Sequence, residues 1–197
     1  MKSRCRCFAI FWTAVILPAA ALSAADTAVP KEIDIQKSVM TVRVFKSGLL
    51  SAFGHEHEIS ASIQQGTLSE NGRSVDLTVN TRTMRVRDKD VSEKDRAEIQ
   101  ETMLGAKVLD GDRFPEIRFH STAVESSGEG RWIVRGDLSL HGQTRPIRLE
   151  VQEKNGRYRG TAELKQRDFG IEPITAGGGT VKVKDGLRVE FEIVAKP

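Results

Sequence analysis

Residues 131–164, RWIVRGDLSLHGQTRPIRLEVQEKNGRYRGTAEL, decide the fold class of this chain. Apolar and polar residues alternate along them in three successive runs, the pattern of β-strands with one buried and one wet face. Asn155-Gly156 separates the last two runs as a tight hairpin signal. Residues 143–146 are predicted as the turn between the first two, with Pro146 starting the next strand. The apolar members are Trp132, Val134, Leu138, Leu140, Ile147, Leu149, Val151, Tyr158, Ala162 and Leu164.

The same alternation recurs through most of the chain. Further strand-like runs lie at residues 40–44, 59–63, 75–79, 117–119, 181–183 and 187–193. Turn signals separate them at Asn71-Gly72, Ser127-Gly128-Glu129-Gly130 and Asp185-Gly186. Tight turns join antiparallel neighbours, so we predict an all-β fold of about eight antiparallel strands that closes into a barrel or stacks in pairs.

Residues 91–104, VSEKDRAEIQETML, have a different pattern that predicts one short α-helix. Ser92 is a suitable N-cap, and acidic residues follow it in the first turn. Ile99 and Met103 mark an apolar stripe, and Gly105 is a suitable stop. A lone helix beside a barrel is expected to cover one of its ends.

The first 25 residues have the layout of a cleaved secretory signal, with a basic start, an apolar run over residues 8–22 and small residues before Asp26. Residues 26–197 are then a single exported domain, which we expect in the periplasm without a stable membrane span. Three of the 30 basic residues lie in the signal, which leaves 27 to match the 27 acidic residues. A near-neutral mature chain argues against a nucleic-acid partner. Both cysteines, Cys5 and Cys7, also leave with the signal.

Four stretches together resemble the YceI-like family of periplasmic polyisoprenoid-binding proteins. They are residues 48–59 (GLLSAFGHEHEI), 114–119 (FPEIRF), 136–146 (GDLSLHGQTRP) and 167–171 (RDFGI). The resemblance implies an extended, lipocalin-like antiparallel barrel with one short helix and a long internal tunnel. It also implies a binding protein, not an enzyme, for a long-chain lipid such as an isoprenoid quinone or a polyprenyl phosphate. Barrels of this kind can bury apolar rims against one another, so a homodimer is compatible with the sequence.

A barrel of about eight strands can hold one ligand, and each buried methylene contributes about 0.8 kcal/mol. We therefore expect aromatic and flexible apolar residues to line the tunnel, although the same residues could simply pack the core. The predicted ligand-binding residues are Phe53, His55, His57, Met84, Met103, Phe114, Phe119, Trp132, Leu140, Phe169 and Ile171.

The His55-Glu56-His57-Glu58 stretch offers a second hypothesis. If a strand begins near residue 55, both histidines lie on its inward face. Two imidazoles in this spacing can contact a polar head group or, with His141 as a third ligand, bind a divalent metal. A metal-binding protein or metal-dependent enzyme at the barrel mouth is therefore the alternative function, and a purely structural role for these histidines is also open.

Overall fold

The computed structural model describes residues 29–47, 56–69, 73–176 and 181–197, which contain twelve strands, one α-helix and two short 3-10 turns. Nine strands have four or more residues, close to the predicted eight. The other three have two residues each, too short to show alternation in the sequence. The strands are β1 (Lys31–Glu32), β2 (Val39–Ser47), β3 (His57–Ser60), β4 (Ile63–Ser69), β5 (Ser74–Asn80), β6 (Arg85–Val86), β7 (Glu116–Gly128), β8 (Arg131–Leu140), β9 (Gln143–Lys154), β10 (Arg157–Lys165), β11 (Thr175–Ala176) and β12 (Val181–Val194). The helix is α1 (Glu93–Leu104), and the 3-10 turns are Thr81–Thr83 and Gln166–Phe169.

All strand pairs are antiparallel and form one curled sheet in the order β1-β4-β5-β7-β8-β9-β10-β12-β2-β3-β6, with β11 on β12. Only Ala61 and Ser62 separate β3 from β4, although these strands lie near opposite ends of this order. Ile33, just after β1, also forms an antiparallel bridge with Ala195, just after β12. The sheet therefore curls into a half-barrel, which confirms the predicted curled antiparallel fold with one short helix.

Charged residues on the outer face form cross-strand ion pairs. The Arg43 guanidinium on β2 lies 3.2 Å from the carboxylate of Glu58 on β3 and 3.0 Å from that of Glu190 on β12. The hydrogen bond that Arg43 donates to the Glu190 carboxylate raises the pKa of Arg43. Such pairs link neighbouring strands on the wet face, whereas the alternate residues of the same strands are apolar and point inward.

Two of the predicted turns are wrong in position. Asp185-Gly186 lies inside β12, where the pairing with β2 shifts register between Val183 and Leu187. A bulge there bends the long strand, and the Asp185 carboxylate accepts a hydrogen bond from the Arg167 backbone at 2.9 Å. The turn between β8 and β9 is His141-Gly142, with φ of 50° and 72°, and not residues 143–146.

The helix packs beside the short edge strand β6 at one end of the barrel, with Met103 in the core. Ser92 caps α1 by accepting from the backbone N–H of Asp95 at 3.1 Å. The Gln100 amide accepts from the Val86 N–H at 2.8 Å and donates to the Met84 carbonyl at 2.9 Å, which satisfies backbone groups of the short edge strand β6. We call this the helix end. The opposite end, where β7–β8 and β9–β10 turn at Gly130 and Gly156, is the turn end.

Candidate functional site

A cavity of ≈ 590 Å³ lies inside the barrel. Its volume is in the range of sites that hold small molecules. The wall is almost entirely aliphatic and aromatic and draws residues from β2, β4, β5 and β7 to β10 as well as β12. Met84 and Leu109 line it toward the helix end, and Gly130 and Gly156 line it at the turn end. The cavity therefore runs along the barrel axis.

Two glycines make room for the bulky aromatic side chains of the wall. A Cβ added at Gly136 on β8 would come within 2.5 Å of Cζ of Phe119, and one at Gly160 on β10 within 2.6 Å of Cζ of Phe191. Each ring thus occupies the space that a side chain on the adjoining strand would take. Glycine in a strand often marks such a close approach. Because each phenylalanine ring lies over a glycine, both rings lie against the barrel wall and do not fill the cavity.

The turn end carries the polar part of the cavity wall. Among the described residues that line the cavity, Glu153 is the only charged one, and Ser69 and Ser74 lie at the same end. The Glu153 carboxylate accepts from the Gly156 N–H at 2.8 Å, and its own N–H donates to the Gly130 carbonyl at 2.7 Å. Because Gly156 is exposed, the cavity reaches the surface here.

Three of the four sequence stretches that carry the family resemblance, residues 114–119, 136–146 and 167–171, meet at the helix end. The rings of Phe114 and His141 pack edge to face with centroids 4.9 Å apart. The His141 Nδ1 lies 3.1 Å from the Phe169 carbonyl oxygen. Gly142, with φ of 72°, has the Phe114 ring 2.6 Å from where a Cβ would be. These residues build the end of the barrel and not its cavity wall.

The structure places the predicted ligand-binding residues in three different settings. Four of them line the cavity: Met84, Phe119, Trp132 and Leu140. Three are buried in the core of the helix end without lining the cavity: Met103, Phe169 and Ile171. Phe114 and His57 also lie outside the cavity wall, as does the predicted metal ligand His141, and Phe53 and His55 lie outside the described residues.

His57 is held in a nearly buried pair with a carboxylate. Its Nδ1 lies 2.6 Å from an oxygen of Asp88, whose side chain is only 2% exposed. The other Asp88 oxygen accepts from the Glu58 N–H at 2.7 Å. The Arg96 guanidinium donates to the Asp88 carbonyl at 2.9 Å, so this pair ties β3 to the segment leading into α1.

His57 and His141 do not form a metal centre with other described residues. Within residues 29–47, 56–69, 73–176 and 181–197, no group of three or more His, Cys, Asp and Glu side chains is arranged to hold a metal ion. Each of these two histidines instead has the hydrogen-bond partner described above. The metal hypothesis therefore gains no support from the described part of the chain.

Comparison with known proteins places this geometry in a family. The model of the YceI-like domain matches residues 32–195, which is nearly all of the barrel. The chain belongs to the YceI family. The resemblance seen in the four sequence stretches is thereby confirmed.

Curated YceI relatives align over different parts of the chain. A UPF0312 protein of Shewanella baltica strain OS185 is 28% identical over 192 residues, covering 92% of this chain and 94% of the relative. A UPF0312 protein of Pseudomonas savastanoi pv. phaseolicola is 38% identical over 120 residues, covering 56% of this chain and 54% of the relative. In the Pseudomonas alignment, the chain spans about half the length of the relative.

Solved structures of the family share the fold at low sequence identity. Burkholderia cenocepacia BcnA superposes with a TM-score of 0.59 at 18% identity, covering 83% of this chain and 99% of that chain. The Campylobacter jejuni YceI protein superposes with a TM-score of 0.50 at 13% identity, covering 71% and 81%. Among the described residues, no helix has the length and apolar character needed to cross a membrane.

Several cavity residues were missed by residue-by-residue prediction. Aliphatic wall residues such as Val42, Leu77 and Val189 appear in the sequence only as members of alternating runs. The signal that could have singled out Phe191 is its combination with a strand glycine, Gly160, on the adjoining strand. Glu153 lies two residues after the inward-facing Val151 on the same strand, so the alternation in the sequence predicts that its side chain also faces inward.

Proposed function

We propose that this protein is a periplasmic carrier that holds the apolar tail of a long-chain lipid, such as an isoprenoid, in the barrel cavity. The observation that carries the proposal is the apolar cavity along the barrel axis, which reaches the surface at a polar end. Apolar walls bind hydrocarbon through the non-directional hydrophobic effect and need no reacting group. A binding role, not catalysis, is therefore the function that this site supports best.

The cavity volume sets the length of tail that fits. A methylene group takes up about the volume of a water molecule in the liquid, roughly 30 Å³, so ≈ 590 Å³ accommodates about 20 carbons. This corresponds to about four isoprene units. At about 0.8 kcal/mol per buried methylene, such a tail has a gross driving force on the order of 16 kcal/mol. Association and ordering costs reduce this figure, but ample affinity remains.

We propose Met84, Phe119, Trp132 and Leu140 as tail contacts, together with the aliphatic residues between them. The thioether of Met84 adapts readily to an irregular ligand near the helix end. Export to the periplasm follows from the proposed signal in residues 1–25, which lie outside the described residues.

The test is extraction of the protein purified from its native source, followed by mass spectrometry of the organic phase and native mass spectrometry of the intact complex. We expect a stoichiometric lipid with a long apolar tail. A protein without extractable lipid that also fails to bind prenyl alcohols after purification would contradict the proposed function.

A further inference from the structure

The cavity has different chemistry at its two ends, and this fixes how an amphipathic ligand can lie. Toward the helix end the wall is formed by Met84, Leu109, Leu138 and Leu140. None of these side chains can satisfy a polar head group, whose burial without a partner is costly. The polar residues of the wall are at the turn end, so a head group placed there meets Glu153.

The Glu153 carboxylate is oriented by a backbone N–H, and no cation among the described residues forms an ion pair with it. Its Oε1 is held by the N–H of Gly156 at 2.8 Å. In the described residues, no ion pair and no other side-chain hydrogen bond reaches this carboxylate, and its Oε2 would lie 4.0 Å from a Cβ on Gly130. The mouth of the cavity therefore presents a carboxylate oxygen that can accept a hydrogen bond from a ligand.

Three cations near Glu153 lie on the outer face of the sheet. Arg131, Lys154 and Arg157 are exposed and alternate in sequence with inward-facing neighbours. Arg157 is paired with Glu192. Glu153 thus places a negative charge on the inner side of the mouth, while these three cations face the solvent.

We propose that Glu153 makes the cavity selective for lipids whose neutral head group donates a hydrogen bond, such as an alcohol. Lipids with a phosphate or carboxylate head group should bind more weakly. This inference rests on the proposed function and defines its ligand class. An anionic head group at this mouth meets a like charge in a partly desolvated site, which opposes binding. A hydroxyl instead donates to Oε2.

The experiment compares two probes with the same tail, geranylgeraniol and geranylgeranyl phosphate, on the full chain stripped of lipid. Binding is followed through the fluorescence of Trp132, which lines the cavity, with Trp132→Phe as the background. The variant is Glu153→Gln, whose amide oxygen can still accept from Gly156. The matched control is Glu150→Gln on the same strand, which removes an exposed carboxylate of the outer face.

We expect wild type to favour the alcohol and Glu153→Gln to reduce the ratio of the two dissociation constants by about tenfold, mainly through tighter phosphate binding. Glu150→Gln should leave the ratio unchanged. If Glu153→Gln changes the ratio by less than about threefold, or no more than Glu150→Gln does, the head-group inference is wrong while carriage of the tail stands. If neither probe binds wild type, the proposed function itself fails.

Discussion

Filling the cavity from one wall should shorten the longest lipid tail that the protein accepts. Ala162 is buried on β10, where it pairs with Val189 on the neighbouring strand β12, and it lines the cavity. Replacing it with tryptophan adds about nine non-hydrogen atoms to a space for about 20 ligand carbons, so roughly half of the capacity is lost. A geranylgeranyl tail would lose burial of about nine carbons, a gross loss of about 7 kcal/mol at 0.8 kcal/mol each.

The assay is native mass spectrometry of the delipidated protein with geraniol, farnesol and geranylgeraniol, supported by competition between them. Wild type should prefer geranylgeraniol, whereas Ala162→Trp should bind geraniol and exclude the longer alcohols. Thr161→Trp is the matched control, because the preceding residue of the same strand is exposed. Urea unfolding checks that the variant is folded. A folded Ala162→Trp protein that binds geranylgeraniol like wild type would refute a tail in this cavity.

Three further predictions test the frame around the cavity. Gly136→Ala should lower the free energy of unfolding by about 2 kcal/mol in urea, because its Cβ meets a phenylalanine ring and a backbone carbonyl, whereas Gly186→Ala has open space and should change little. Ser92→Ala should remove the helix cap and cost about 1 kcal/mol by the same measurement, and a neutral effect would argue against the cap. The hydrogen bond to Asp76 raises the pKa of His120 above 6.5, so Asp76→Asn should lower that pKa in an NMR titration. The pair stabilises the fold below pH 6.5 and ceases to do so as the pH rises through the raised pKa, so an unchanged pKa in the variant would contradict the pairing.

The sequence predicts those parts of the fold that follow from local periodicity. Residues 131–164 read correctly as three strands because most inward positions carry apolar residues and most outward positions carry polar ones. The helix was predicted with the correct cap, Ser92, because capping depends on one local hydrogen bond. The two-residue strands β1, β6 and β11 could not be predicted, since their pairing depends on long-range contacts.

Asp185-Gly186 shows why a turn signal can fail. The same dipeptide suits a tight turn and a bulge, and only the neighbours decide between them. Here β2 pairs with β12 on both sides of the dipeptide, at Lys182 and Val183 before it and from Leu187 after it, and β10 pairs with β12 from Gly186 onward. The chain therefore continues as one long strand that bends at the bulge.

The cavity itself could not be predicted from the list of apolar residues. Phe119 and Phe169 look equivalent in the sequence, yet one lines the cavity and the other is packed beneath it. The difference lies in how the barrel curls, and in whether a glycine such as Gly136 makes space for the ring. Composition alone does not distinguish a filled barrel from a hollow one.

The residues that carry the family resemblance and those that line the cavity are largely different sets, for a physical reason. The helix end needs specific geometry, with a left-handed Gly142, a ring beside it and a hydrogen bond from His141 to the segment at Phe169. Few residue types meet such demands, so this end produces recognisable motifs. The cavity wall needs only apolar surface, which many residue types supply. Membership in the family therefore accounts for the end of the barrel that the motifs build, whereas the proposed lipid preference rests on a residue outside the motifs, Glu153.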